Sequence, residues 1–192
     1  MVEYAKKGNK LVGVVSVTTE TLAGIPSIVY GLFGFLLFAV ALGWSYTILG
    51  GAMTLAIMIL PTIIGVTESA VRSVPESYYE GSLALGATKE RSIFFVMLPA
   101  AKSGILAGVV LGIGRAIGET MAVIMVAGNQ PRMPKGLLQG VRTMTANIVT
   151  EMGYASGLHR EALIATGVVL FVFILIINLS LSLLNRRAEY AN

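Results

Sequence analysis

The stretch TLAGIPSIVYGLFGFLLFAVALGWSYTILGGAMTLAIMILPTIIGVT, from Thr21 to Thr67, contains no charged residue. A helical bilayer crossing takes about 20 apolar residues, so this length fits two crossings joined by a short turn. Gly43-Trp44-Ser45-Tyr46 supplies the turn, with two aromatic rings suited to the headgroup level. The first helix is expected from about Pro26, a residue suited to an opening helical turn, to Leu42, and the second from about Thr47 to Val66. Further along, Ser103 to Ala127 is apolar except for Arg115 and Glu119, and Ala162 to Leu184 carries no charge. The pattern predicts an all-α polytopic membrane protein with about four crossings. Its expected segments are an interfacial amino terminus (1–22), a transmembrane hairpin (23–66), a polar loop (67–102), a third membrane helix (103–128), a second loop (129–160), a fourth helix (161–185) and a tail (186–192).

The composition of the 192 residues agrees with this class. Hydrophobic residues make up 55% and charged residues 12%, against about 25% charged in a soluble domain. All ten acids are glutamates, cysteine is absent, and His159 is the single histidine. Such a chain has little material for a metal site, a disulfide framework or an aspartate dyad, and no metal or cofactor is expected. The net charge of +4 is spread between apolar spans, so no nucleic-acid partner is expected either. No secretory signal peptide is evident, because residues 11–22 are too mixed for a clean apolar core.

Basic residues orient the spans. Lys6, Lys7, Lys10, Arg72, Lys89, Arg91, Lys102, Arg186 and Arg187 fall on one side; Arg132, Lys135, Arg142 and Arg160 fall on the other. Nine against four predicts a cytoplasmic location for both termini and for the loop after the second span. Within that loop, Ser73-Val74-Pro75-Glu76 has the form of a capping box, and Gly86 offers a left-handed stop about three turns later. Thr88 then suits the cap of a second helix running through Arg91 and Phe95 to Pro99. Tyr79, Leu83 and Leu85 are more apolar than a simple connector requires, so the hairpin reads either as a seat for a partner protein or as an ordinary interfacial loop.

Glu80-Gly81-Ser82-Leu83-Ala84-Leu85-Gly86, followed after nine residues by Val96-Met97-Leu98-Pro99, resembles the E-A-A, x3, G, x9, I-x-L-P signature of ABC importer permeases. Gly81 and Ser82 replace the two alanines and Val96 the isoleucine. The resemblance implies a coupling helix that contacts an ATP-binding subunit through Glu80, Gly81, Ser82, Leu83, Gly86, Leu98 and Pro99. The chain has no G-x-x-x-x-G-K-[ST] loop, so ATP hydrolysis is expected in a separate subunit. Gly112-Ile113-Gly114-Arg115-Ala116-Ile117-Gly118-Glu119-Thr120-Met121-Ala122, and Leu22 to Gly31, resemble phosphate-specific transport permeases of the PstC type. That family is multi-pass in the bacterial or archaeal inner membrane. It implies a PstA-like sister permease, two PstB-like ATP-binding subunits, a PstS-like extracytoplasmic phosphate-binding protein and surrounding membrane lipid as partners. Family permeases have six membrane helices and a longer amino-terminal part, which implies that this chain is an amino-terminally shortened form.

The third span carries its own signal. Gly104, Gly108 and Gly112 recur every four residues and make a smooth stripe for close helix packing, which Arg115 and Glu119 continue. A mid-membrane arginine costs roughly 2.5–3.5 kcal/mol on insertion scales, and an i, i+4 glutamate offsets part of that cost. Two roles stay open. The pair either pins helix packing, or lines a substrate pathway in which the planar guanidinium of Arg115 meets a phosphate oxyanion and Glu119 orients it. Phosphate import is the leading expectation; another oxyanion or small solute, or an ATP-independent channel or secondary transporter, is the alternative. Met144, Asn147, Ile148 and Glu151 are placed on one face of a short external helix, and Glu68 with Arg72 form a structural i, i+4 pair.

Overall fold

A computed structural model describes residues 10–190, apart from the side chains of Leu11, Leu181 and residues 184–190. Lys6, Lys7 and the last two residues of the expected tail therefore lie outside the described residues, as do the side chains of Arg186 and Arg187. The elements are α1 (Lys10–Gly24), α2 (Ser27–Ala41), α3 (Ile48–Arg72), α4 (Glu76–Ala84), α5 (Lys89–Ala100), α6 (Lys102–Gly118), α7 (Met121–Val126), α8 (Met144–Glu151) and α9 (Gly157–Tyr190). The described residues hold no strand beyond an isolated bridge between Gly128 and Val141. Two stretches, Phe35–Ala41 within α2 and Ile93–Met97 within α5, are π-helical.

Two helices, Ile48–Arg72 and Gly157–Ser180, are each long and apolar enough to cross a bilayer. Two broken pairs, Val12–Gly24 with Ser27–Ala41 and Lys89–Ala100 with Lys102–Gly118, bring the number to four if each pair acts as one span. Pro26 accounts for the first break. It has no N–H to give to α1 and instead takes the N-cap position of α2 with an extended ψ of 139°.

The third expected crossing differs from its reading as one helix. Ser103 to Ala127 divides, with α6 stopping at Gly118 and α7 starting at Met121. Glycine weakens the helix at that point, and the carboxylate of Glu119 accepts from the N–H groups of Thr120 (3.0 Å) and Ala122 (3.1 Å). A side chain satisfies those amides, so the turn no longer needs the helical carbonyls. Glu119 thus lies beyond the last residue of α6 rather than on a helix face shared with Arg115. A second correction concerns Ser73, whose hydroxyl donates to the Ala70 carbonyl at 2.8 Å while Pro75 takes the N-cap of α4 without a side-chain bond. The Ser73 hydroxyl is spent backwards on α3, so the capping box does not form.

The described residues divide into two compact units, one of residues 10–23, 60–113 and 181–190, the other of 24–59 and 114–180. In the first, α6 lies against the second half of α3 along its glycines. A Cβ at Gly104 would stand 2.4 Å from the Ala70 Cβ, at Gly108 3.2 Å from the Val66 Cβ, and at Gly112 2.8 Å from the Ile63 Cδ1. In the second, Tyr30, Met58 and Ala122 form a buried cluster. Gly31 lets α2 close on α7, where a Cβ would meet the Ala122 Cα at 2.8 Å. Gly34 does the same beside Thr54, which is 1% exposed and bonded to the Gly50 carbonyl. On α9 the side chains of Val168, Phe171, Val172, Ile176 and Leu179 are exposed, an apolar surface suited to hydrocarbon.

The α3/α6 seam gives a matched pair of tests. Gly104→Ala puts a methyl where Ala70 already sits and should cost about 1–3 kcal/mol through overpacking. Gly65→Ala, on α3 with nothing within 4 Å, should be neutral or gain up to about 1 kcal/mol from helix propensity. Thermal unfolding of the two variants in the same detergent checks the difference in sign.

Candidate functional site

Two groups of residues carry the expected chemistry, one in each unit. In the first unit, α4 and α5 form a hairpin around Gly86, whose φ of +84° is the left-handed conformation that a Cβ disfavours. The Gly86 N–H donates to the Leu83 carbonyl at 2.9 Å and the Ala87 N–H to the Ser82 carbonyl at 3.1 Å, which closes the end of α4. Thr88 caps α5 by accepting from the Arg91 N–H at 3.4 Å. Ser82 lies on the inner side of α4 with its Oγ 2.5 Å from the Oγ of Ser92, which is fully buried. Ser92 donates in turn to the Thr88 carbonyl at 3.0 Å.

This polar clasp locks the two helices and leaves Glu80, Gly81, Leu83 and Gly86 on the exposed side, with Leu98 half-buried and Pro99 exposed in the last turn of α5. Leu85, at the tip, is 90% exposed, and Tyr78, Phe94 and Phe95 add further apolar surface. Tyr79 is half-buried. The sequence singled out Tyr79, Leu83 and Leu85 as the apolar surface and placed Phe95 only as a residue of the second helix, without Phe94. Ile93 and Met97, four residues apart, turn inward on one face of the helix, and Phe94 and Phe95 fall outside that face.

In the second unit, Arg115 is half-buried in the last turn of α6, and Glu119 Oε1 caps α7 as described. The Glu119 carbonyl accepts from the Thr145 hydroxyl on α8 at 3.1 Å. Thr143 caps α8 by accepting from the Ala146 N–H at 3.2 Å. At the other end of α8, Glu151 accepts from Arg142 Nη1 at 2.6 Å and from the hydroxyl of Tyr154, and His159 Nε2 stands 3.7 Å from its Oε2. Arg142 also donates through Nε to the Asn129 carbonyl at 3.0 Å and through Nη1 to Asn147 Oδ1 at 3.3 Å. The hydrogen bond from Tyr154 holds the Glu151 carboxyl below its ordinary pKa, and the Arg142 guanidinium acts in the same direction against partial burial. The same bond raises the Tyr154 phenol, which keeps its proton and stays a donor.

A cleft of about 330 Å³ lies elsewhere in this unit, lined by Phe35, Tyr46, Ile124, Met125, Gly128 and Asn129, with the rings of Phe35 and Tyr46 stacked at 5.6 Å. Neither Arg115 nor Glu119 lines it. Among the described residues there is no cluster of three or more His, Cys, Asp or Glu side chains able to hold a metal ion. The remaining expected pair, Glu68 and Arg72, closes at 2.8 Å on the surface of α3. Thr143, Thr145 and Arg142 were missed by the sequence reading; the legible signal for Thr143 is its place one residue ahead of a helical run, and Thr145 and Arg142 act only through contacts made by folding.

The model of one protein family matches residues 2–190 of this chain. The chain belongs to the family of binding-protein-dependent transport system inner membrane components. Relatives in that family include a probable ABC transporter permease protein, YqgI, of Bacillus subtilis, 42% identical over 69% of this chain and 45% of its own length. The phosphate transport system permease protein PstC of Pasteurella multocida is 34% identical over 82% of this chain and 57% of its own length. The chain thus spans about half the length of the curated relatives it matches. In fold it is similar to an inward-facing structure of the MetNI methionine ABC transporter, with a TM-score of 0.78 at 20% identity, covering 97% of this chain and 82% of that one.

The lowered carboxyl of Glu151 fixes a pH response. A group depressed on folding contributes stability above its unfolded pKa and loses it as pH falls through the folded value. The contacts of Glu151 with Tyr154 and Arg142 should therefore be fully formed from about pH 5 to 8 and weaken only below the ordinary carboxylate range. Glu151→Gln should lower the unfolding temperature at neutral pH and flatten its fall in acid, measured as the difference between the two proteins' Tm against pH profiles.

Proposed function

We propose that this chain acts as a transmembrane permease subunit of an ATP-driven importer of inorganic phosphate. The observation that carries the reading is the placement of Arg115, a half-buried cation in the last turn of a membrane-type helix, beside a break whose amides are already satisfied by Glu119. Charged side chains inside membrane helices mark substrate pathways by default, and the planar fork of arginine matches a tetrahedral oxyanion. The PstC relatives, named for phosphate transport, support the same cargo. In this reading Arg115 and Glu119 belong to the substrate pathway, Arg115 by contact with the oxyanion and Glu119 by holding the break open as a cap.

The α4–α5 hairpin transmits the drive from the ATP-binding subunit. Its exposed Leu83, Leu85 and Phe95 suit insertion into a cleft of an ATP-binding subunit, and the Ser82–Ser92 clasp lets the hairpin move as one lever. The reading calls for a PstA-like sister permease, two PstB-like ATP-binding subunits and a PstS-like extracytoplasmic phosphate-binding protein. The hairpin and both termini then face the cytoplasm, as the distribution of basic residues supports.

Two variants in a complex reconstituted with these partners test the two halves. Arg115→Lys keeps the charge and loses the fork, so phosphate uptake should fall about tenfold or more with assembly unchanged; parent uptake would remove Arg115 from the pathway. Gly86→Val forces a branched side chain into a left-handed backbone, at a cost of about 1–2 kcal/mol. ATP hydrolysis coupled to uptake should drop while the chain still inserts, and parent coupling would refute the lever.

A further inference from the structure

One short helix touches both ends of another. Through Thr145, α8 reaches the Glu119 carbonyl at the entrance of α7, at 3.1 Å. Through its carboxyl-terminal Glu151 and through Asn147, it holds Arg142, whose Nε is bonded to the Asn129 carbonyl just past the exit of α7. That exit is itself tightly formed, with Gly128 at φ +89° and Asn129 at φ +47°. The carbonyl of Ala127 accepts from the Val141 N–H at 2.9 Å, which brings Arg142 into reach. Between these two attachments Ala146 is fully buried. A helix of six residues has too few internal hydrogen bonds to keep its own place. The position of α7, and with it the break at Glu119, must come from outside.

We propose that α8 is a strap that fixes α7 and the Glu119 break, and that Thr145 is its positioning residue. Thr145 need not touch cargo. Its hydroxyl satisfies a carbonyl left open where α6 stops, and so fixes the residue whose carboxylate caps α7. The consequence for transport rests on the reading of Arg115 as a phosphate contact: a break held in one geometry keeps Arg115 at one distance from the passing anion.

The test uses the full reconstituted complex with Thr145→Val, which keeps the shape and removes the hydroxyl, and Thr145→Ser, which keeps the hydroxyl. Hydrogen exchange of the segment spanning residues 117–126 reports the break without any cargo. Thr145→Val should speed its exchange several-fold and Thr145→Ser should return it to the parent rate, while exchange in the α4–α5 hairpin stays the same in both. Parent exchange in Thr145→Val overturns the strap. Phosphate uptake is then measured on the same samples, where KM should rise severalfold in Thr145→Val and recover in Thr145→Ser. Faster exchange with an unchanged KM would support the strap and count against the pathway assigned to Arg115, so the two failures are distinct.

Discussion

An apolar span that stops being helical must find partners for every N–H and C=O it releases, because hydrocarbon offers none. The two ends of α7 meet this demand with three side chains. Glu119 takes two amides, Thr145 supplies a donor to the Glu119 carbonyl, and Arg142 takes the Asn129 carbonyl at the far end. Once these bonds exist, α7 can remain a six-residue helix packed against α2. The close contact of Gly31 with Ala122 and the cluster of Tyr30, Met58 and Ala122 depend on α7 staying there. Unsatisfied groups at such a site would cost several kcal/mol each, far more than any single apolar contact nearby returns.

The other unit rests on steric fit instead. Gly104, Gly108 and Gly112 carry no side chain where Ala70, Val66 and Ile63 approach, and a methyl at the first would overlap outright. In a lipid setting, where burial of apolar surface drives helix association weakly, such contact-distance packing supplies much of the attraction. Rigidity follows from it. A hairpin whose α5 leads through Ala101 straight into α6 can pass a push along the chain only if α6 is not free to slide on α3.

The physical class, the hairpin and the glycine stripe were legible in the sequence because each is written in local terms. Charge-free length marks spans, Gly86 marks a left-handed stop, and a four-residue glycine period marks a packing face. The break at Glu119 was not legible. Read by periodicity, Ser103 to Ala127 is one helix, and an i, i+4 arginine and glutamate look like an ion pair. What makes the break is the choice of the Glu119 carboxylate to cap Thr120 and Ala122, a choice stabilised by Thr145, twenty-six residues later in the chain. Ser73 shows the same limit in miniature, since its hydroxyl was free to cap forward and bonds backward to Ala70. Long-range partners of this kind leave no trace in a local pattern.

The proposed meeting point for an oxyanion is a half-buried arginine beside a capped break. The most direct measurement is a cryo-electron microscopy structure of the assembled transporter trapped with phosphate inside the membrane domain. Anion density is expected within about 3 Å of the Arg115 guanidinium nitrogens, with Glu119 still bonded to the amides of Thr120 and Ala122. Phosphate density lined by other residues, with Arg115 closed onto a carboxylate in every trapped state, would contradict it.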